Sequence, residues 1–361
     1  MKIFIFKERL GSMKKIAGLC IGEKFDQQLL GLNEKYDLLF IRKDQELILF
    51  SLETLEEISR YRCSGIPEVI FFTQSEDYAI VACRQGLSYR NKLYLINLQK
   101  DLTKLEFLYQ GKAADTYRFT IHSLSNYPNH LLIGRKYSLE LFDCVSGQSC
   151  ATYKTTKEIH LVGVIESENE DVIAVRYVSK DQENANVLTM DQPDVQYYKL
   201  KEGTLMNETE PNLKISKYFY EKTIRFTDNG NKTILTNFTE KTKQIYNSKL
   251  WRMGIDSIDR EGQCLCGVVY FHDEKGDCLR CYSFLMDAKT LMPIYTHEDG
   301  IALYFYGKKN YLIYEEMSDE DYIAIVDFSN KERRSLTMEQ LSKGKVKKNK
   351  VDSKGFKQII L

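Results

Sequence analysis

Four cysteines in the last third of the chain have a spacing that could bind a metal ion. One residue separates Cys264 from Cys266, and two residues separate Cys278 from Cys281. Thiolates are strong zinc ligands, and four of them at close spacing are typical of tetrahedral structural zinc sites. The chemistry open to this segment is therefore structural metal binding, provided that the four side chains converge.

The strand pattern around these cysteines opposes convergence. The loop 272–277 predicts an antiparallel hairpin in which each strand carries two of the cysteines. Pairing Phe271 with Cys278 pairs Val268 with Cys281, and side chains alternate between the two faces of a strand. In this register three thiols share a face and Cys278 points to the other, unless a bulge shifts the pairing. We therefore predict buried structural thiols, with no metal and no cofactor.

No other cluster of residues predicts catalysis. The sequence lacks a Gly-x-Ser-x-Gly elbow, a Walker loop and a Gly-x-Gly-x-x-Gly fingerprint. The acidic runs at 166–171 and 315–321 lack the alternation of a calcium-binding loop, so we interpret them as solvated loops. Neither a two-histidine helix motif nor a nucleophile signature accompanies the five histidines, which are His122, His130, His160, His272 and His297.

A basic tail at residues 337–361 is the clearest charge feature. It carries seven Lys against Glu339 and Asp352, a net charge of +5, so the rest of this neutral chain has a net charge of −5. Such a tail could contact an acidic protein, nucleic acid or an anionic membrane, or it could serve only as a solubilising extension. The residues predicted to make such contacts are Lys343, Lys345, Lys347, Lys348 and Lys350.

The composition is that of a globular protein rich in sheet. The 361 residues are 43% hydrophobic and include 24 Tyr and 18 Phe, and aromatic residues favour strands. No apolar run approaches the roughly 20 residues of a membrane-spanning helix. The nine cysteines are odd in number and have no framework spacing, which favours reduced thiols and a cytoplasmic location.

One pattern recurs along the chain and suggests a repeat. A short apolar run ends at a residue that is usually polar and short, a few turn residues follow, and another short strand begins. These positions span 276 residues in six intervals, an average of 46. Asp and Asn at several of them can close tight turns through their own side chains. The seven positions are Ser51, Asn97, Asp143, Lys199, Asn237, Asp287 and Asp327.

This repeat resembles that of the β-propeller superfamily and is similar to WD40 repeats in length. The resemblance covers residues 14–336, although the Trp-Asp and Gly-His dipeptides of WD40 proteins are absent. It implies an all-β fold, a single β-propeller of about seven four-stranded blades in residues 1–336. Ring closure needs one further strand, and the candidates are 2–6, 16–21 and 356–361.

The functional prediction follows from this fold and from the missing catalytic signatures. We expect a non-catalytic scaffold that binds a protein or peptide partner through a rim of loops. The alternative is a propeller-type hydrolase or lactonase, whose carboxylates would converge from several blades in the central channel.

Overall fold

The fold is described from a computed structural model. Its described residues are 2–5, 9–10, 13–20, 27–85, 88–102, 107–112, 120–166, 171–177, 195–201, 204–208, 218–220, 224–228, 232–237, 240–247, 251–259, 262–272, 278–298, 303–316, 322–328 and 357–360. They form 31 strands and one short 3-10 turn, Gly307–Lys309. The prediction of an all-β fold is confirmed for these described residues. None of the described residues belongs to a helix long and apolar enough to cross a membrane.

The chain divides into two compact units. The central unit is Leu30–Lys217, and the terminal unit combines Met1–Leu29 with Tyr218–Leu361. Three N-terminal strands belong to the terminal unit: β1 (Lys2–Ile5), β2 (Arg9–Leu10) and β3 (Met13–Cys20).

The central unit consists of four sheets, and in each of them consecutive strands are hydrogen-bonded neighbours. Sheet 1 contains β4 (Gln27–Asn33), β5 (Leu38–Lys43), β6 (Glu46–Ser51) and β7 (Glu56–Arg62). Sheet 2 contains β8 (Ile66–Phe72), β9 (Tyr78–Gln85), β10 (Ser88–Asn97) and β11 (Phe107–Lys112). Sheet 3 contains β12 (Thr120–Ser123), β13 (His130–Arg135), β14 (Ser138–Asp143) and β15 (Gln148–Lys154). Sheet 4 contains β16 (Ile159–Glu166), β17 (Asp171–Tyr177), β18 (Val195–Lys201) and β19 (Thr204–Glu208).

The terminal unit continues the pattern. Sheet 5 contains β20 (Tyr218–Tyr220), β21 (Ile224–Asp228), β22 (Lys232–Asn237) and β23 (Thr242–Asn247). Sheet 6 contains β24 (Trp251–Ile258), β25 (Cys264–His272), β26 (Cys278–Asp287) and β27 (Met292–Glu298). Sheet 7 begins with β28 (Leu303–Tyr306), β29 (Tyr311–Glu316) and β30 (Tyr322–Asp327).

Sheet 7 is completed by strands from both ends of the chain. Its order is β28-β29-β30-β3-β1-β31, where β31 is Lys357–Ile360, and β2 pairs with β3. β3 runs antiparallel to β30, with Cys20 opposite Tyr322. The candidate at 16–21 is therefore the one that pairs with the last sheet, while the other two candidates extend the sheet beyond it.

The turn that ends the third strand repeats from sheet to sheet. Six of the seven predicted positions, all except Lys199, are the last residue of that strand. Where their contacts are described, the side-chain oxygen accepts hydrogen bonds from backbone N–H groups two or three residues on, as expected of Asx-type turns. These oxygens belong to Ser51, Asn97, Asp143, Asn237 and Asp287.

The prediction for Lys199 was wrong by two residues. β18 continues through Leu200, which is buried, and ends at Lys201. A lysine side chain has no acceptor with which to close the turn. The spacing alone therefore located this repeat without identifying its strand end.

A backbone bond closes the other side of the same turn. The residue after the turn-closing residue is buried, and its N–H donates to the carbonyl just before the second strand. This bond recurs in sheets 1, 2, 3, 6 and 7 at 2.8 to 3.0 Å, and it ties together the two loops at one end of a sheet. Its donors are the N–H groups of Leu52, Leu98, Cys144, Ala288 and Phe328.

Hydrophobic clusters join successive sheets within each unit. One cluster joins Leu38 and Phe40 of sheet 1 to Ala79 and Val81 of sheet 2. Similar clusters join sheet 2 to sheet 3, sheet 3 to sheet 4, and sheet 6 to sheet 7. In sheets 1 to 4 the second strands are buried on both faces, which explains why their sequences are continuously apolar.

Candidate functional site

The four sheets of the central unit present two opposite rims of loops. Because each sheet is an up-and-down meander, the loop after its first strand and the loop after its third strand lie at the same end. In sheet 1 these are loops 34–37 and 52–55, and the loop 44–45 lies at the other end. Binding residues in proteins often lie on loops, so each rim is a candidate site.

Hydrogen bonds join sheets 1 and 2 at the first rim. Asn33 donates from Nδ2 to the carbonyl of Glu76 at 3.0 Å, and the Lys35 N–H donates to the Glu76 carboxylate at 3.0 Å. Lys35 also forms an ion pair with Asp77, to which Tyr36 donates its hydroxyl hydrogen. Backbone and side chains of one loop are therefore bound to the next loop.

The pKa values of Asp77 and Tyr36 are shifted in the directions that their contacts predict. Burial opposes ionisation of Asp77, but hydrogen bonds from Lys35 and Tyr36 outweigh it and lower the pKa of the Asp77 carboxyl. Burial and the hydrogen bond to Asp77 raise the pKa of Tyr36 to about 12. At neutral pH Asp77 is therefore a carboxylate that accepts from a cation and from a neutral phenol.

Similar contacts continue along the same rim. The N–H of Ser75 in sheet 2 donates to the carbonyl of Pro128 in sheet 3 at 2.8 Å. Asp171 of sheet 4 accepts from the Ser125 hydroxyl at 2.6 Å and from the Asn126 N–H at 3.0 Å. Each of the four sheets is thus bonded to the next through its loops, which makes the rim a fixed surface.

This first rim is acidic, and we call it the acidic rim. Of the described side chains of the central unit, three ammonium groups lie there, on Lys35, Lys100 and Lys199. The carboxylates at the same end are more numerous, and they are Glu34, Asp37, Glu53, Glu56, Glu76, Asp77, Asp101, Asp143 and Asp171.

The opposite end of the same four sheets is basic, and we call it the basic rim. Carboxylates there include Glu68, Glu140 and Glu158, which pair with Arg84, Arg135 and Lys136 at 2.6, 2.7 and 3.3 Å. Asp44 and Glu46 complete the described carboxylates of this rim. The cations are Arg42, Lys43, Arg62, Arg84, Lys92, Arg135, Lys136, Lys154 and Lys157, together with Arg176, which is buried. Opposite charges therefore concentrate at opposite ends of the central unit.

The sequence contained a signal for the basic rim that we did not use. An arginine lies at or near the end of the second strand in each of the four sheets, directly after its apolar run. These arginines are Arg42, Arg84, Arg135 and Arg176. Their separation along the chain hides the shared location, which becomes visible only when the strands are aligned.

The cysteine hairpin forms, but its register differs from the predicted one. Cys281 lies opposite Tyr270 instead of Val268, and a bulge next to the turn places Cys278 opposite His272. Cys266 lies opposite Leu285, so about four residues, or roughly 13 Å, separate it from Cys281 along the strands.

No group of three or more His, Cys, Asp or Glu side chains among the described residues is arranged to hold a metal ion. Cys264 and Cys266 are buried, and burial raises the pKa of the Cys266 thiol well above its usual range. Cys63, Cys83 and Cys144 are also buried thiols.

The other predicted features have mixed outcomes. His122 contacts the carbonyl of Val162 through Nε2 at 2.8 Å, and burial lowers the pKa of its imidazole. A neutral ring that donates here ties sheet 3 to sheet 4. The basic tail lysines Lys343, Lys345, Lys347, Lys348 and Lys350 lie outside the described residues, as do 167–170 and 317–321 of the two acidic runs.

No protein-family model matches the chain, and no curated protein matches it. Among solved structures, the crystal structure of Kluyvelomyces marxianus Hsv2, a β-propeller protein, is similar with a TM-score of 0.35 and 10% sequence identity. The similarity covers 68% of this chain and 71% of that chain. The sheets, their order and their repeated turns describe the architecture independently of this likeness.

Proposed function

We propose that residues 1–336 form a single seven-bladed β-propeller that serves as a non-catalytic interaction module for a protein or peptide partner. Each sheet would be one blade, with its first strand nearest the central channel. β3 would close the ring, because an N-terminal strand beside the last C-terminal strand removes the open edges of such a fold. The pairing of Cys20 with Tyr322 supports this closure.

The observation that carries the functional proposal is the bonding between loops of successive sheets. The contacts of Lys35 with Asp77, of Ser75 with Pro128 and of Ser125 with Asp171 fix one rim of the central unit. A surface that is already ordered loses little conformational entropy when a partner docks on it. The buried thiols further support a reducing, cytoplasmic location.

Affinity purification of the tagged full-length chain from its native cells tests this function. Two double variants serve as matched probes, one on each rim: Glu53→Lys with Glu56→Lys, and Lys154→Glu with Lys157→Glu. All four side chains are exposed, so both variants should fold. We expect a stoichiometric protein that is retained by the wild type and one variant and lost from the other. A chain that stays without a partner would overturn the proposal in favour of the enzyme alternative.

A further inference from the structure

We propose that the basic rim of the central unit is the docking face and that its partner is an acidic protein segment. This inference rests on the proposed interaction function and specifies the surface and the chemistry of the partner. Its centre is a cluster formed by the loops of sheet 3, which we call the lysine cluster: Lys136, Lys154 and Lys157, with Tyr137 beside them.

The lysine cluster is held in place by backbone hydrogen bonds. The Thr155 N–H donates to the carbonyl of Tyr137 at 2.9 Å, and the Ile159 N–H donates to the carbonyl of Lys136 at 2.8 Å. The Lys157 N–H donates to the Thr155 hydroxyl at 3.1 Å. Loops 136–137 and 155–158 are therefore bonded to each other, and the backbone from which the lysines project is fixed.

The side chains of the cluster are available to a partner. Lys154 and Lys157 are exposed, and the Lys157 nitrogen lies over the Tyr177 ring at 5.6 Å from its centroid. Lys136 is 38% exposed and shares its charge with Glu158 at 3.3 Å. Tyr137 is 47% exposed, and its ring lies 5.4 Å from the Lys136 nitrogen. A half-exposed tyrosine among cations is the kind of residue that anchors protein interfaces.

The distribution of charge favours an acidic polypeptide over nucleic acid. Asp44, Glu46 and Glu158 lie among the cations of the basic rim. A nucleic-acid backbone carries closely spaced charges, about one per 1.7 Å in the duplex, and would meet these carboxylates. A polypeptide can place its carboxylates opposite the lysines and neutral residues opposite Glu158. The acidic rim at the other end would repel the same partner, so the partner is directed to the basic rim.

Binding of a fluorescein-labelled peptide of alternating Glu and Ser to the full-length chain at low salt tests this inference. The test variant is the triple substitution Lys136→Glu, Lys154→Glu and Lys157→Glu. The control is Lys241→Glu, Lys243→Glu and Lys289→Glu, which changes net charge equally at exposed positions of sheets 5 and 6. We expect saturable binding that the test variant weakens about tenfold or more and the control by no more than about twofold.

Further measurements separate the alternatives. Tyr137→Ala should weaken binding while leaving its salt dependence unchanged, because it removes contact area and no charge. Equal losses in the test and control variants would show that net charge alone attracts the peptide, which overturns the inference. Tighter cluster-dependent binding of a single-stranded oligonucleotide, or of phosphatidylserine vesicles, would overturn the assignment to a protein segment. If a native partner is retained by the cluster variant, this inference fails while the interaction function stands.

Discussion

Asp287 accepts three hydrogen bonds from its own turn. The donors are the N–H groups of Lys289 at 3.0 Å and Thr290 at 2.8 Å, and the Thr290 hydroxyl at 3.0 Å. Replacing Asp287 by Ala leaves these donors without their acceptor, and we expect the free energy of unfolding to fall by about 1–2 kcal/mol. Urea denaturation measures this change.

Two substitutions in the same turn control for this effect. Asp287→Asn keeps an acceptor oxygen and should lose less than half as much stability, whereas Lys289→Ala should be close to neutral because that side chain is exposed. If all three variants unfold at the same urea concentration, the side-chain oxygen does not close this turn.

Asp77 predicts how stability depends on pH. Its folded-state pKa is lowered, so its contribution to stability is present above the pKa of an unfolded Asp, about 3.9, and is lost as pH falls through the folded value. Asp77→Asn should therefore be less stable than the wild type at pH 7, and the difference should shrink below about pH 4. Denaturation curves at several pH values test this, with Glu53→Gln on the same rim as a control. A difference that stays constant with pH contradicts the prediction.

At the residue scale, the side chains that close turns were easier to predict than the backbone conformation within the turns. Asp and Asn were expected to close turns, and Asp143, Asn237 and Asp287 do so. Gly147 has a left-handed backbone with φ 69°, and Leu55 and Leu291 adopt the same conformation at the equivalent position with φ 59° and 57°. A leucine in the sequence does not indicate a left-handed backbone, because this conformation is unfavourable for leucine. In these turns the hydrogen bonds of the turn impose it.

Packing between sheets 3 and 4 depends on the absence of a side chain at Gly134. A Cβ atom there would lie 2.5 Å from Thr120 Oγ1 and 2.9 Å from Val162 Cγ2. We expect Gly134→Ala to lower the free energy of unfolding by about 1–3 kcal/mol, because the branched side chains have little room to move. The double variant Gly134→Ala with Val162→Ala tests the cause.

The double variant should be more stable than the sum of the two single effects predicts, since the second change removes the crowding. Gly262 provides a contrast. It has φ 66° and nothing within 4 Å of its added Cβ, so Gly262→Ala acts through the backbone alone and should show no coupling to Val162. Additive effects at 134 and 162 would rule out the steric explanation.

β3 should be essential to sheet 7. Leu19 pairs with Ile323 of β30 and with Ile3 of β1, so the strand has partners on both sides. Proline removes a backbone donor and is poorly accommodated inside a sheet, and we expect Leu19→Pro to cost at least about 3 kcal/mol. Size-exclusion chromatography should also show aggregation, because the edge of β30 loses its cover.

Arg9→Pro is the matched control, since β2 pairs only with β3 among the described strands. A synthetic peptide of residues 13–20 added to the Leu19→Pro chain should restore the monomer by pairing in place of the damaged strand. Equal behaviour of the two proline variants would show that β3 does not protect this edge.

At the element scale, the existence of strands was predictable and their exact pairing was not. The apolar runs at 38–41, 78–82 and 172–175 all lie in second strands, because burial on both faces leaves a continuous apolar signal. The predicted register of the cysteine hairpin was wrong, because the bulge between Phe271 and His272 cannot be recognised from the periodicity of the sequence.

The two rims predict that the chain binds to an ion exchanger, although its formal net charge at pH 7 is 0. Surface charges farther apart than roughly 10 Å are screened from one another at 0.1 M salt, so each rim should interact with a charged matrix by itself. We expect retention on a sulfonate cation exchanger at neutral pH and low salt. The triple variant of the lysine cluster should elute at distinctly lower salt.

Replacing the five tail lysines by glutamine separates the rim from the tail. These are Lys343, Lys345, Lys347, Lys348 and Lys350. The prediction is that this tail variant remains retained, whereas loss of retention here and not in the cluster variant would assign the interaction to the tail.

At the scale of the whole molecule, the class of fold was predictable and the candidate site was not. Repeat spacing and missing catalytic motifs pointed to a propeller-like scaffold. The cluster of positive charge visible along the chain was the tail, because its lysines lie close together in the sequence. The lysine cluster joins Lys136 to residues 154 and 157 only after β14 and β15 have paired. Charge that folding brings together leaves no run in the sequence.

The pairing of β3 with β30 also has a consequence for synthesis on the ribosome. About 300 residues separate Cys20 from Tyr322. At a translation rate of about 5–20 residues per second, β30 is synthesised roughly 15 to 60 s after β3. During that time the edge of β3 that later pairs with β30 is without its partner, and such an edge is prone to pair with other strands. A premature stop codon before residue 322 would leave this edge of β3 exposed permanently.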